Sequence, residues 1–171
     1  MMYLLLLLFL VLGIACGWYA ASHKLKKKDA VYKTAGEVLN TFLQKHGCKL
    51  QDVRENTESK VIAGHFMYQG GCFDVYYKKD DTEMIVHFPN FLAAPTQHVS
   101  RLLLICNYMM NEMKFVKLTI SNGPENDEVN VSLSYETYCI TEQSLELICN
   151  YSFSIAELIR EKYNDHSFMS I

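Results

Sequence analysis

The sequence predicts an α+β domain, an antiparallel sheet with packed helices, preceded by one N-terminal transmembrane helix. Three observations carry this. Residues 3–20 hold no charge, and Lys24, Lys26, Lys27 and Lys28 follow closely. Between residues 49 and 88, short runs of alternating apolar and polar residues are separated by tight turns, as in a strand meander. Apolar stripes at helical spacing precede, interrupt and follow the strand-like runs, giving the order helix, meander, helix, hairpin, helix.

The uncharged run comes first. Its eighteen residues (3 to 20) would reach about 27 Å as a helix, close to the ~30 Å hydrocarbon core of a bilayer. Trp18 and Tyr19 stand where aromatic rings prefer the interface. The positive-inside rule keeps the lysine flank cytoplasmic. The expectation is therefore a single-pass inner-membrane protein of a bacterium, with membrane lipid as a partner of residues 3–20 and the domain facing the cytoplasm. Residues 1–22 form the anchor, 23–29 a basic juxtamembrane segment and 30–171 the domain. Signal cleavage is the alternative: Ala15-Cys16-Gly17 and Ala20-Ala21-Ser22 are tolerable small-residue sites, and cleavage would give a periplasmic or exported domain. However, no Lys or Arg precedes the apolar run, as a signal peptide would have it.

Residues 30–46 predict a helix through the stripe Val31, Ala35, Val38, Leu39, Phe42 and Leu43, and Gly47 stops it. Strands are expected over 49–55, 61–68, 72–77 and 83–88, with Gln69-Gly70-Gly71 and Lys79-Asp80-Asp81 as turns. Phe88-Pro89-Asn90-Phe91 should end the fourth strand. A second helix is expected over 97–113 with Thr96 as its N-cap. Strands over 115–120 and 129–136 follow, the second alternating cleanly as a sheet with one buried face requires. Thr141 should cap a last helix reaching residue 163.

Composition narrows the function classes. The chain has 16 Lys+Arg and 19 Asp+Glu; four of the bases are Lys24, Lys26, Lys27 and Lys28, which leaves 12 against 19, a net −7, from Asp29 onward. The lysines can contact anionic headgroups. The acidic remainder argues against nucleic acid, whose phosphates need clustered bases. Beyond Cys16, the five scattered cysteines are a poor disulfide framework and read as small buried hydrophobes, consistent with a reducing compartment. No C-x-x-C, H-x-x-x-H, G-x-S-x-G or phosphate-binding glycine loop occurs, so neither a cofactor nor catalysis is expected. His65 and Cys72 flank the glycine turn and could meet across the hairpin as a structural pair.

The second helix suggests a binding surface. At 100° per residue, Val99, Leu102, Leu103, Cys106, Met110 and Met113 share one side, the natural cover for the sheet. Leu104, Ile105, Tyr108 and Met109 fall off that stripe and are the expected protein interface, for a second copy or another partner.

Two stretches resemble the YbjN-like family. Residues 37–47 (EVLNTFLQKHG) are like its opening helix and terminal glycine. Residues 104–120 (LICNYMMNEMKFVKLTI) are like its central helix running into a strand. The family often has Gly after the aromatic at this junction, where this chain has Val116. The resemblance covers residues 33–163. It implies the fold shared with type III secretion chaperones and a compact, often dimeric protein-binding domain without cofactor or catalytic residues. Members are described as candidate regulators. The resulting expectation is a membrane-anchored adaptor, regulator or tethered chaperone with an unidentified protein partner. An exported envelope protein and an enzyme without a recognisable motif are the alternatives.

Overall fold

The first described helix, α1 (Ala35–His46), begins later than its apolar stripe suggests. Thr34 closes a capping box: its Oγ1 accepts from Glu37 N–H at 3.3 Å, and Glu37 Oε2 accepts from Thr34 N–H at 2.8 Å. At the other end Gly47 turns left-handed (φ 66°), so Cys48 N–H reaches Leu43 O and Gly47 N–H reaches Gln44 O, an αL stop that suits glycine. These details come from a computed structural model, which describes residues 33–165 apart from Lys114, Asn126 and Cys139. The anchor, the juxtamembrane lysines Lys24, Lys26, Lys27 and Lys28, and Cys16 lie outside the described residues. Among the described residues no helix is long and apolar enough to cross a membrane.

Six antiparallel strands follow: β1 (Gln51–Asn56), β2 (Val61–Tyr68), β3 (Gly71–Lys78), β4 (Met84–Pro95), β5 (Lys117–Asn122) and β6 (Glu128–Thr137). They form one sheet in the order β1-β2-β3-β4-β6-β5. Helix α2 (Val99–Glu112) lies between β4 and β5 in sequence, and α3 (Glu142–Asn164) follows β6. The fold is thus α+β, with six strands and three helices among the described residues. Gln69 (φ 48°) and Gly70 (φ 83°) both take positive φ between the paired residues Tyr68 and Gly71, the backbone of a two-residue primed hairpin turn. Edge strand β1 is exposed at every residue and carries Asp52, Arg54 and Glu55, which discourages pairing with another sheet.

Strand β4 differs from expectation. It does not end at Phe88 but bulges there and resumes at Leu92, which pairs with Val131. Asn90 takes a left-handed φ of 48°, and its N–H donates to Ser132 Oγ at 3.0 Å. A side chain thus replaces the lost ladder bond, and pairing recovers. The Arg160 guanidinium of α3 donates to Phe91 O and pins the bulge from the helix side. Thr96 does not cap α2; residues Thr96–His98 form a 3₁₀ turn leading into it. Thr141 does cap α3, through a reciprocal pair with Ser144. His65 pairs across the hairpin with Asp74 and not with Cys72, which faces Met67; the turn contains two residues, and that sets the register. His65 instead lies 3.7 Å from Asp52, and His87 lies 3.2 Å from Asp74.

One face of the sheet meets the helices. Its centre is a row of rings across β2, β3 and β4. Phe66 and Phe73 stack at 5.6 Å, Phe73 and Phe88 at 4.8 Å, and Phe88 and Phe91 at 5.9 Å. Phe42 of α1 meets Phe66 edge-on, and Phe153 of α3 meets Phe73 and Phe88 likewise. Gly71 passes beneath Phe153, where an added Cβ would come within 2.6 Å of the ring. Between α1 and α3, Lys45 Nζ pairs with Glu146 Oε2 at 2.8 Å.

The thiols follow the burial. Cys106 and Cys149 are buried, Cys48 and Cys72 partly so, and all four are free. Burial pushes the Cys149 thiol up to about 12 and the Cys106 thiol up to about 11. In the unfolded chain each thiol titrates near ~8.5. The folded state therefore holds the proton longer. The stability this confers is complete below about pH 8.5 and is lost as pH rises towards the folded values. Denaturation midpoints should fall steadily from pH 8 to pH 11. At pH 8 iodoacetamide should label Cys72 and Cys48 well before Cys106 and Cys149. Equal labelling of Cys149 and Cys72 would contradict the packing of α3 on the sheet.

Candidate binding groove

Helix α3 carries two stripes. Leu145, Cys149, Ser152, Ala156 and Ile159 are buried and fall within one narrow sector at 100° per residue. On the opposite side Leu147, Tyr151 and Leu158, spaced i, i+4 and i+11, are 54, 59 and 40 % exposed. Between the sectors lie Ile148, partly buried, and Ile155, buried. The helix thus has a core face, a shoulder and an uncovered apolar ridge.

The shoulder forms one wall of a groove. The chain leaves α2 at Glu112, turns through Met113 to Val116, where Val116 N–H meets Met113 O at 3.3 Å, and enters β5 at Lys117. Strand β5 pairs with β6 only as far as Lys117 opposite Ser134. Strand β6 runs on to Thr137, paired with β4 alone. Beyond the end of β5, between this free stretch of β6, the 113–116 turn and α3, lies a groove of about 620 Å³. Its lining is mostly apolar, with Met113, Val116, Tyr135, Ile148 and Ile155 joined by the exposed side chains of Phe115, Leu147 and Tyr151. Phe115 is 87 % exposed, an unusual position for a phenylalanine. Tyr135 is buried, and desolvation pushes its hydroxyl up to about 12, with Ser152 beside it working in the opposite direction. Among the described residues Glu112 and Glu136 are the charged members of the lining. A volume of this size lies in the range of ligand and peptide clefts, ~300–1,000 Å³. Its apolar lining suits burial of side chains rather than proton transfer. Among the described residues no cluster of three or more His, Cys, Asp or Glu is placed to hold a metal ion.

The residues expected at an interface separate. Ile105 and Met109 are not surface residues: they are 0 and 2 % exposed and belong to the core. Leu104 and Tyr108 are 59 and 46 % exposed, with Lys162 Nζ 4.8 Å from the Tyr108 ring centroid. Conversely Leu103, expected beneath the helix, is 47 % exposed. The buried face of α2 is Leu102, Ile105, Cys106 and Met109, rotated roughly 60° from the expected stripe. The cause is a second cover. Helix α2 packs on α3 as well as on β5, so its core face shifts towards the neighbouring helix. Phe115, Leu147 and Tyr151 were not among the expected interface residues. The signal for two of them was present: Leu147, Tyr151 and Leu158 form an apolar stripe off the main face of α3, legible by the angular argument applied to α2.

No family model matches this chain, and no curated protein matches it. Among solved structures it is similar to YbjN from E. coli, described as a candidate transcription regulator, with 15% identity and a TM-score of 0.46 over 73% of this chain and 88% of that one.

Proposed function

We propose that this chain is a protein-binding module held at a membrane by residues 3–20, its domain on the cytoplasmic side, and that it acts as an adaptor or regulator without catalysis. The observation that carries the binding role is the groove. Three large apolar side chains, Phe115, Leu147 and Tyr151, stand exposed around an apolar cleft, and such clustered exposure marks an interaction surface. The tether rests on the uncharged run and the lysines after it. A YbjN-like relationship, with the fold of type III secretion chaperones, belongs to the same proposal and rests on the stretches 37–47 and 104–120.

A photo-crosslinking residue at Tyr151 of the full chain, in intact cells, should give discrete protein adducts. The same residue at Val53, 55 % exposed on the far edge strand, should not. Leu147→Ser should suppress the Tyr151 adducts at unchanged protein level. Equal adducts at both positions would refute the groove as the contact surface. A reporter fused after Ile171 tests the tether: activity confined to a cytoplasmic reporter agrees with it, and periplasmic activity overturns the orientation.

A further inference from the structure

We propose that the groove receives an amphipathic helix of a partner protein whose apolar face is flanked by lysine or arginine; this rests on the groove being the binding surface. The electrostatics are one-sided. Among the described residues Glu112 and Glu136 line the groove, and no Lys, Arg or His does. Neither glutamate belongs to an ion pair among the described residues, whose pairs use Glu146, Asp52 and Asp74. Helix α2 ends at the groove, with Glu112 its last residue and no base in its last turn. The negative end of its dipole therefore adds to the charge of the two carboxylates. The surrounding domain has the same sign, at −7 from Asp29 onward. A second copy would bring the same negative charge to this site, and anionic headgroups would be repelled; a basic-flanked partner meets complementary charge.

The apolar ridge sets the shape. Leu147 and Leu158 stand eleven positions apart on α3, about 16 Å along the axis. That is roughly the length of three helical turns. A partner helix with apolar residues at i, i+3, i+4 and i+7 can lay them beside this ridge, with Phe115 closing the far side. Its flanking bases then fall over Glu112 and Glu136.

The test uses the full-length protein in discs of zwitterionic lipid and three synthetic helical peptides of roughly four turns. The first carries leucines on one face and lysines beside them. The second has glutamate for lysine, and the third serine for leucine. Fluorescence anisotropy at low salt should give binding of the lysine peptide at least about tenfold tighter than the glutamate peptide, a gap that narrows as salt is added. The serine peptide should not bind. Glu112→Lys with Glu136→Lys should reverse the preference, and Leu147→Ser with Tyr151→Ser should abolish binding of every peptide, circular dichroism showing each variant folded. Equal affinity for the lysine and glutamate peptides, lost in the Leu147/Tyr151 variant, overturns the basic partner while leaving the groove as a binding surface. Absence of binding by any peptide, or binding indifferent to Leu147 and Tyr151, overturns both. Self-association of the full chain in sedimentation velocity that disappears in the Leu147/Tyr151 variant makes a second copy the occupant, and overturns the inference.

Discussion

Replacing Phe73 by alanine should cost the domain about 3–5 kcal/mol, a large part of the ~5–15 kcal/mol by which domains of this kind are stable. Phe73 is fully buried in the middle of β3. Its ring lies between Phe66 and Phe88, which hold the neighbouring strands, and Phe153 meets it edge-on from α3. Removing it leaves a cavity bounded by three other rings and by backbone, which relax only partly. The loss therefore includes the transfer energy of the ring, the aromatic contacts and the empty volume. Urea denaturation followed by circular dichroism measures this as a lower midpoint at unchanged slope. Phe115→Ala is the control. That ring is 87 % exposed, and its loss should alter stability by less than about 0.5 kcal/mol. Similar losses at the two positions would mean that the ring row is not the centre of the core.

Ile105→Asp should leave the domain unfolded or nearly so, whereas Leu104→Asp should be tolerated. The two residues are adjacent on α2, with 0 and 59 % exposure. An aspartate at 105 faces the core between the helix layer and the sheet. There it must either stay ionised without a partner or take up a proton at a pKa raised by several units, and it also forfeits the burial of the isoleucine. Together these cost on the order of 5 kcal/mol or more. At 104 the carboxylate stays in water, and the cost should be within about 0.5 kcal/mol. Circular dichroism and thermal melting of the two variants decide the matter. A folded Ile105→Asp protein would restore Ile105 to the surface and refute the orientation of α2.

This pair also marks where sequence reasoning reached its limit. The period of α2 correctly indicates a helix, and its apolar content correctly indicates that one stripe cannot contain it all. The angular position of the buried stripe is a separate matter. Leu102 and Cys106 lie on the expected stripe, while Ile105 and Met109 lie off it and are core all the same, in a helix that packs on α3 as well as on β5. Periodicity reports which residues share a face; it does not report how many neighbours cover the helix. The fourth strand shows a similar limit. Pro89 and Asn90 look like a terminus, but Ser132, forty-two positions away from Asn90, supplies the bond that lets β4 continue.

What the sequence determined by itself are the elements and their order. Alternation along β3 and β6, the glycine turn at 69–70, the Gly47 stop and the Thr141 cap act over a few residues, through backbone sterics and local hydrogen bonds. They are therefore legible in a single chain. Tertiary structure alone decided the groove. Its walls come from the end of α2 and the approach to β5, from the end of β6 and from the first half of α3, and none of these is a site on its own. The groove exists because β5 stops pairing at Lys117 while β6 continues to Thr137, and because α3 presents a shoulder of Ile148 and Ile155 beside its core face. Both are facts about how separate elements meet, set by packing between surfaces distant in sequence, and no local pattern encodes them.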